Sequence, residues 1–146
     1  MQKFKHGIRG NDVADSDAFN MKVLMANYSH KQMADLAEYI RTFSPKQPEA
    51  TQGGDPVKGK ALYASCIACH GLDGRGNEAL KAPSLLGLSD AYIVQQLIKF
   101  KDGTRGGAKG DLSGKLMQTA TQILADEQAM RDVAAYLTTL KVTEKE

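Results

Sequence analysis

Cys66-Ile67-Ala68-Cys69-His70 is the stretch from which this chain is best read. The pentapeptide uses both cysteines of the 146-residue sequence and sets a histidine directly behind them. A CxxCH of this form is the attachment signature of c-type haem. The spacing has a chemical reason, because two thiols so placed can each add to a vinyl group of one porphyrin. The imidazole of the next residue is then held beneath the iron. Three other uses of such a motif compete with this one. A thioredoxin-like CxxC belongs beside a βαβ pattern, whereas the flanks here read as helix. A structural zinc site takes four ligands, and His6 and His30 lie far in sequence from Cys66, Cys69 and His70. A structural disulfide would leave His70 without a role. Haem attachment is the expectation.

Outward from the motif, the pattern stays helical. Asp55-Pro56 sets an N-cap before a proline at the first helical position, opening a helix that carries Val57, Ala61, Leu62 and Tyr63 up to Cys66. Ser89 caps a second helix through about Lys101, with Ile93, Leu97 and Phe100 at helical spacing and Gly103 as its stop. A last helix is expected from about Asp126 to Leu140, with Met130, Val133, Ala134 and Leu137 on one face. No segment sustains strand alternation, so the fold class is all-α.

An internal repeat sets the organisation. Residues 1–10 (MQKFKHGIRG) match residues 97–106 (LIKFKDGTRG) at a constant offset, and Met21 falls opposite Met117 at the same offset. After a one-residue gap, residues 33–40 (MADLAEYI) fall opposite residues 130–137 (MRDVAAYL). Ser29 and Gln32 supply a capping box for the earlier copy of the final helix. Residues 1–43 therefore read as the second half of a unit that occupies 55–143 in full, joined by a proline- and glycine-bearing linker over 44–54. The half repeat has no CxxCH of its own.

A chain of 146 residues is of single-domain size, or one domain plus a fragment. Its formal charge of +2 gives no general attraction to nucleic acid or to a membrane surface. No apolar run approaches a membrane span. Residues 1–10 are charged and lack the apolar core of a secretory signal. Asp73-Gly74-Arg75-Gly76 follows no strand and lacks a phosphate-loop pattern, so no nucleotide site is expected there.

Residues 55–143 resemble a class I cytochrome c domain, with a first helix running into CxxCH, a loop, a middle helix, a methionine-bearing ligand loop and a C-terminal helix. With its half repeat and linker, the whole chain resembles the two-domain dihaem cytochromes of the c4 type, the first domain being truncated. The resemblance implies a class I cytochrome c fold over 55–146, preceded by the C-terminal half of a second, similar domain over 1–43. It implies one haem c per chain, with Cys66 and Cys69 carrying the thioethers and His70 as proximal ligand. Pro83 stands where the family's proline carbonyl accepts a hydrogen bond from that imidazole. Met117 stands as distal ligand, and Gly59 and Tyr63 are expected to meet Tyr136 where the terminal helices cross.

Met117 competes with Met130 for the distal position. Met130 lies on the apolar stripe of the last helix, where methionine fills core space. Met117 lies in a glycine-bearing loop or short helix, and that placement, with the resemblance, favours it. His6 and His30 are expected to be solvated. Lys99, Lys101, Arg105, Lys109 and Lys115 outnumber Asp102 and Asp111 here; they form either a docking surface for an acidic redox partner or an ordinary solvated face. Arg75 and Arg105 are candidates to pair with a haem propionate. Met21 holds the position of a distal ligand for a haem that this chain cannot attach.

Three explanations fit the half repeat: a precursor extending upstream, a truncated product, or completion by another chain through exchange. The first is preferred, because it would also place the missing export signal upstream. An isolated half domain would expose Leu24, Met25, Leu36 and Ile40, an apolar face through which homo-oligomers would form.

The function implied is a soluble, periplasmic one-electron carrier, not an enzyme by itself. Its redox partners would be a membrane quinol-oxidising complex and a terminal oxidase or reductase. The alternatives are a five-coordinate haem peroxidase or gas sensor, and a haem subunit of a dehydrogenase complex.

Overall fold

The computed structural model describes residues 1–44 and 46–142. Pro45 of the expected linker and residues 143–146 of the expected second domain lie outside the described residues. The helices are α1 (Gln2–Lys5), α2 (Ser16–Ala26), α3 (His30–Arg41), α4 (Pro56–Tyr63), α5 (Ile67–His70), α6 (Asp90–Lys101), α7 (Leu112–Ala120) and α8 (Glu127–Thr139), with a 3₁₀ turn over Thr121–Ile123. Only one isolated bridge, Asn77 to Ala82, departs from helix and loop among the described residues.

Local chemistry sets the helix starts. The Asp55 carboxylate accepts from the amides of Val57 and Lys58, Ser89 Oγ from Tyr92 and Asp126 from Ala129. Ser29 and Gln32 complete the expected capping box. One boundary differs from expectation. Helix α4 ends at Tyr63 rather than running to Cys66, and α5 restarts after a turn closed by Cys66 N to Tyr63 O at 2.8 Å. The Tyr63 hydroxyl, which donates to the Gly71 carbonyl at 2.8 Å, ties residues 64–71 back over the helix end.

The core lies where α4 and α6 pack on α8. Tyr63, Ile93, Val94, Leu124, Met130, Val133, Ala134, Tyr136 and Leu137 form one buried cluster. The α4–α8 crossing is close because residue 59 has no side chain. A Cβ there would fall on the Asp132 carbonyl and 2.9 Å from Tyr136 Cβ. The Tyr63 and Tyr136 rings lie 5.4 Å apart, as the resemblance implies.

The linker is bound down rather than loose. Gln47 Nε2 donates to the carbonyls of Thr138 (2.6 Å) and Leu140 (3.1 Å). The buried Asp90 carboxylate accepts from the Thr51 and Gln52 amides and the Thr51 hydroxyl. Burial works against its charge, but these hydrogen bonds outweigh it and hold the carboxyl below its ordinary range. Asp132 accepts from the Asp55 amide at 2.8 Å, and that bond, against burial, lowers its pKa.

Residues 1–28 meet the complete repeat across a contact with quasi-twofold symmetry. Lys3 Nζ reaches Asp111 at 2.5 Å, and its repeat mate Lys99 reaches Asp15 at 2.6 Å. Asp15 and Asp111 also cap α2 and α7. Burial raises the pKa of Asp111, but Lys3 and the Gly114 amide bring it below the ordinary value. Lys5 donates to the carbonyls of Ala26 and Tyr28, and Lys101 to those of Leu124 and Ala125.

This contact corrects the reading of the basic run. Lys99, Lys101 and Arg105 are each committed to a partner inside the molecule, whereas Lys109 and Lys115 are exposed. The apolar face of the half repeat is corrected too. Leu24 and Ile40 are exposed and Leu36 is half-buried, but Met25 is buried. Tyr39 and Phe43 extend the exposed face, at 62% and 57% exposure, packed edge to face.

Candidate functional site

Helix α5 carries the CxxCH motif on a single turn, with Cys66 as its N-terminal flanking residue and His70 as its last. Both cysteines are free thiols, Cys66 half-buried and Cys69 exposed. Burial pushes the Cys66 thiol pKa up, with the Ser65 hydroxyl pulling weakly the other way. A raised thiol pKa is the opposite of what disulfide-exchange chemistry needs. Among the described residues no three His, Cys, Asp or Glu side chains gather to hold a metal ion, which removes the zinc reading.

His70 is buried, and its Nδ1 lies 3.0 Å from the Pro83 carbonyl oxygen. A carbonyl only accepts, so Nδ1 carries the proton and Nε2 keeps its lone pair. The loop that brings Pro83 there is closed by paired backbone bonds between Asn77 and Ala82, by Gly76 N to His70 O and by Leu85 N to Gly74 O. Gly76, at φ +82°, sits so close to Pro83 that a Cβ would collide with its backbone. A histidine oriented by a backbone acceptor, with its other nitrogen left free, is the arrangement an iron ligand requires.

The two candidate methionines separate clearly. Met130 is 3% exposed inside the α8 core, whereas Met117 is half-buried on α7. Large apolar side chains reach the surface on α7, at Leu112 and Leu116, and on the loop after His70, at Leu72 and Leu80. Free thiols, an oriented imidazole and exposed leucines together fit an apolar macrocycle carrying iron.

His6 and His30 are exposed and lie against each other, ring centroids 5.6 Å apart, away from the motif in sequence. Met21 is exposed at 36%. Of the two propionate candidates, Arg75 pairs with Asp73 at 2.9 Å and Arg105 donates to Gln96 at 2.7 Å. Sequence reasoning passed over Arg9 and Gln96, which meet Arg105. The repeat offset that sets Arg9 opposite Arg105 was the available signal.

The family model described as "Cytochrome c" matches residues 56–141. Over 96 residues the chain is 36% identical to cytochrome c4 of Azotobacter vinelandii, covering 64% of this chain and 45% of that one. The chain thus spans less than half the length of that relative. It is 36% identical over 83 residues to cytochrome c-554(548) of Halomonas halodenitrificans, covering 57% of this chain and 93% of that protein. The solved structure of a cytochrome c4 from Acidithiobacillus ferrooxidans superposes with a TM-score of 0.71 at 25% identity, over 95% of this chain and 79% of that one.

Proposed function

The chain belongs to the cytochrome c family, whose members carry electrons on covalently attached haem c, and from that premise we propose that it is a one-electron carrier with haem c at Cys66 and Cys69. His70 is the proximal ligand through Nε2, Pro83 fixes its ring through the backbone carbonyl, and Met117 is the distal ligand. Haem would supply the redox couple, and ligation by a Met117 thioether and the His70 imidazole would favour the ferrous state and raise the potential. The protein's residues do the rest. The Nδ1–Pro83 hydrogen bond makes His70 a better donor and stops the ring from turning. Were His70 and Met117 both to bind the iron, no coordination position would be open to a substrate, which supports a carrier rather than an enzyme. Residues 1–43 and the linker form a partial second repeat beside the complete domain of 55–146. The reading places it in the periplasm, between a quinol-oxidising complex and a terminal oxidase or reductase, and the family membership supports such a setting.

The observation that carries this reading is the buried His70 aimed by Pro83 beside two free thiols. The test is the optical spectrum of purified holoprotein, oxidised and reduced, with intact mass on the same sample. The oxidised form should show the weak long-wavelength sulfur-to-iron band, lost in Met117→Ala and kept in Met130→Ala. A high-spin spectrum that shifts on adding carbon monoxide would instead mean an open coordination position and a peroxidase or gas sensor. The mass should show one haem per chain.

A further inference from the structure

The quasi-twofold contact holds a second cluster, apart from the CxxCH motif. Arg9 Nη2 and Arg105 Nη1 donate to the same oxygen, Gln96 Oε1, at 2.9 and 2.7 Å. Each guanidinium also lies over a ring of its own repeat, Arg9 4.7 Å from the Phe4 centroid and Arg105 4.4 Å from that of Phe100. A ring against one face fixes the guanidinium plane and leaves its donors pointing along that plane. Both side chains line a cleft of about 240 Å³ formed by residues 8–12 and 103–108.

The charges around the cleft do not balance. Lys3 and Lys99 are taken up by Asp111 and Asp15, and among the residues that line the cleft itself Arg9 and Arg105 outnumber the single carboxylate of Asp12. The two guanidiniums share a neutral amide oxygen, with the Tyr92 hydroxyl as a further neutral partner of Arg105. The cost is visible at Arg105, where burial and then Arg9 push the pKa down to about 10, against small opposing effects of Tyr92 and Asp111. Asp12, on the rim, is exposed and turns its carboxylate to the Ala14 amide at 2.9 Å. Arg9 Nε is buried with no hydrogen-bond partner. A buried charged donor left unpaired is costly, and such groups commonly mark an ion or ligand site.

We propose that Arg9 and Arg105 form a two-guanidinium clamp for an oxyanion, a carboxylate or a phosphate, seated in this cleft. The geometry suits that chemistry, because guanidinium forks match carboxylate and phosphate oxygens in pairs. It also gives residues 1–10 a ligand-binding role that the single-repeat domain lacks. Two sources can supply the oxygens: a haem carboxylate of the same chain, which rests on the haem reading above, or a free anion from solution, which does not.

The experiment uses full-length holoprotein, wild type and Arg9→Gln, with inorganic phosphate as the probe and potassium chloride at matched ionic strength as control. Thermal midpoint and reduction potential against pH are both recorded. If a free anion is bound, phosphate stabilises the wild type beyond the chloride control. Arg9→Gln then needs about tenfold more phosphate for the same stabilisation, as loss of a charge-assisted bond implies. If a haem carboxylate sits there, phosphate has no specific effect, and Arg9→Gln moves upward the pH at which the potential changes slope. Arg9→Lys, which keeps the charge but not the fork, falls between wild type and Arg9→Gln in either case, and carries the comparison should Arg9→Gln not fold. Substitution at Arg9 that changes neither readout would overturn the clamp.

Discussion

At the scale of single residues, the site depends on which atoms are left free. His70 is usable because the Pro83 carbonyl accepts a hydrogen bond from Nδ1–H, and that partner is backbone rather than a side chain. Tyr63 supports this loop from below through its bond to Gly71. Burial, with smaller contributions from Cys66, Tyr136 and Asp73, raises its pKa to about 12. The folded state thus favours the neutral phenol. Its contribution is full below the unfolded pKa of about 10 and is lost as pH rises through about 12. Tyr63→Phe is expected to cost about 1 kcal/mol near neutrality. It should also flatten the stability loss between those pH values, read by denaturant melts alongside phenolate absorbance. The contact between His70 and Pro83 was legible because a five-residue motif and an ordered series of short motifs carry the resemblance that implied it. Arg9 and Gln96 were not, since nothing local marks a side chain whose partner lies 87 residues away.

Among the elements, what was legible is again what is local. Asp55, Ser89 and Asp126 cap within their own first turns, so the sequence alone locates those helices. The end of α4 was missed because the backbone tightens there, the amides of Ala64, Ser65 and Cys66 each bonding three residues back, while the segment beyond is held by the Tyr63 hydroxyl on Gly71. Asp90 reads as one more acidic residue after a serine cap, yet it holds the linker, a role set by residues 51 and 52. The α4–α8 crossing is where sequence and packing meet most tightly. Gly59→Ala pushes a methyl into the Asp132 carbonyl, and relief requires the helices to separate. The expected loss is about 2–3 kcal/mol by chemical denaturation, a cost typical of overpacking. An unchanged midpoint would mean that the crossing is looser than the geometry indicates.

For the molecule as a whole, the half repeat is held by two bridges of identical kind in unequal surroundings. Lys99 and Asp15 have side chains only 14% and 6% exposed, whereas Lys3 is 44% exposed opposite Asp111. Lys99→Met strands a buried carboxylate and should cost about 3–5 kcal/mol. Lys3→Met also strands a carboxylate, Asp111 being 4% exposed, but should cost less, because water already reaches the place of that ammonium. Equal losses in thermal or denaturant melts would contradict the asymmetry. The basic run 99–105 misled the sequence reading because its partners are Asp15 of the other repeat for Lys99, and the Leu124 and Ala125 carbonyls and Gln96 for Lys101 and Arg105, none of which charge counting can see.

The twinned bridges have a consequence for valence. Lys99 and Asp111 lie on the same repeat, so the surface they share is complementary to its own copy. Residues 1–28 present the matching pair from within the chain, at an effective concentration that a second molecule in dilute solution does not reach. The recognition is thereby satisfied internally. What would otherwise be a sticky, self-pairing face becomes a seam inside one molecule.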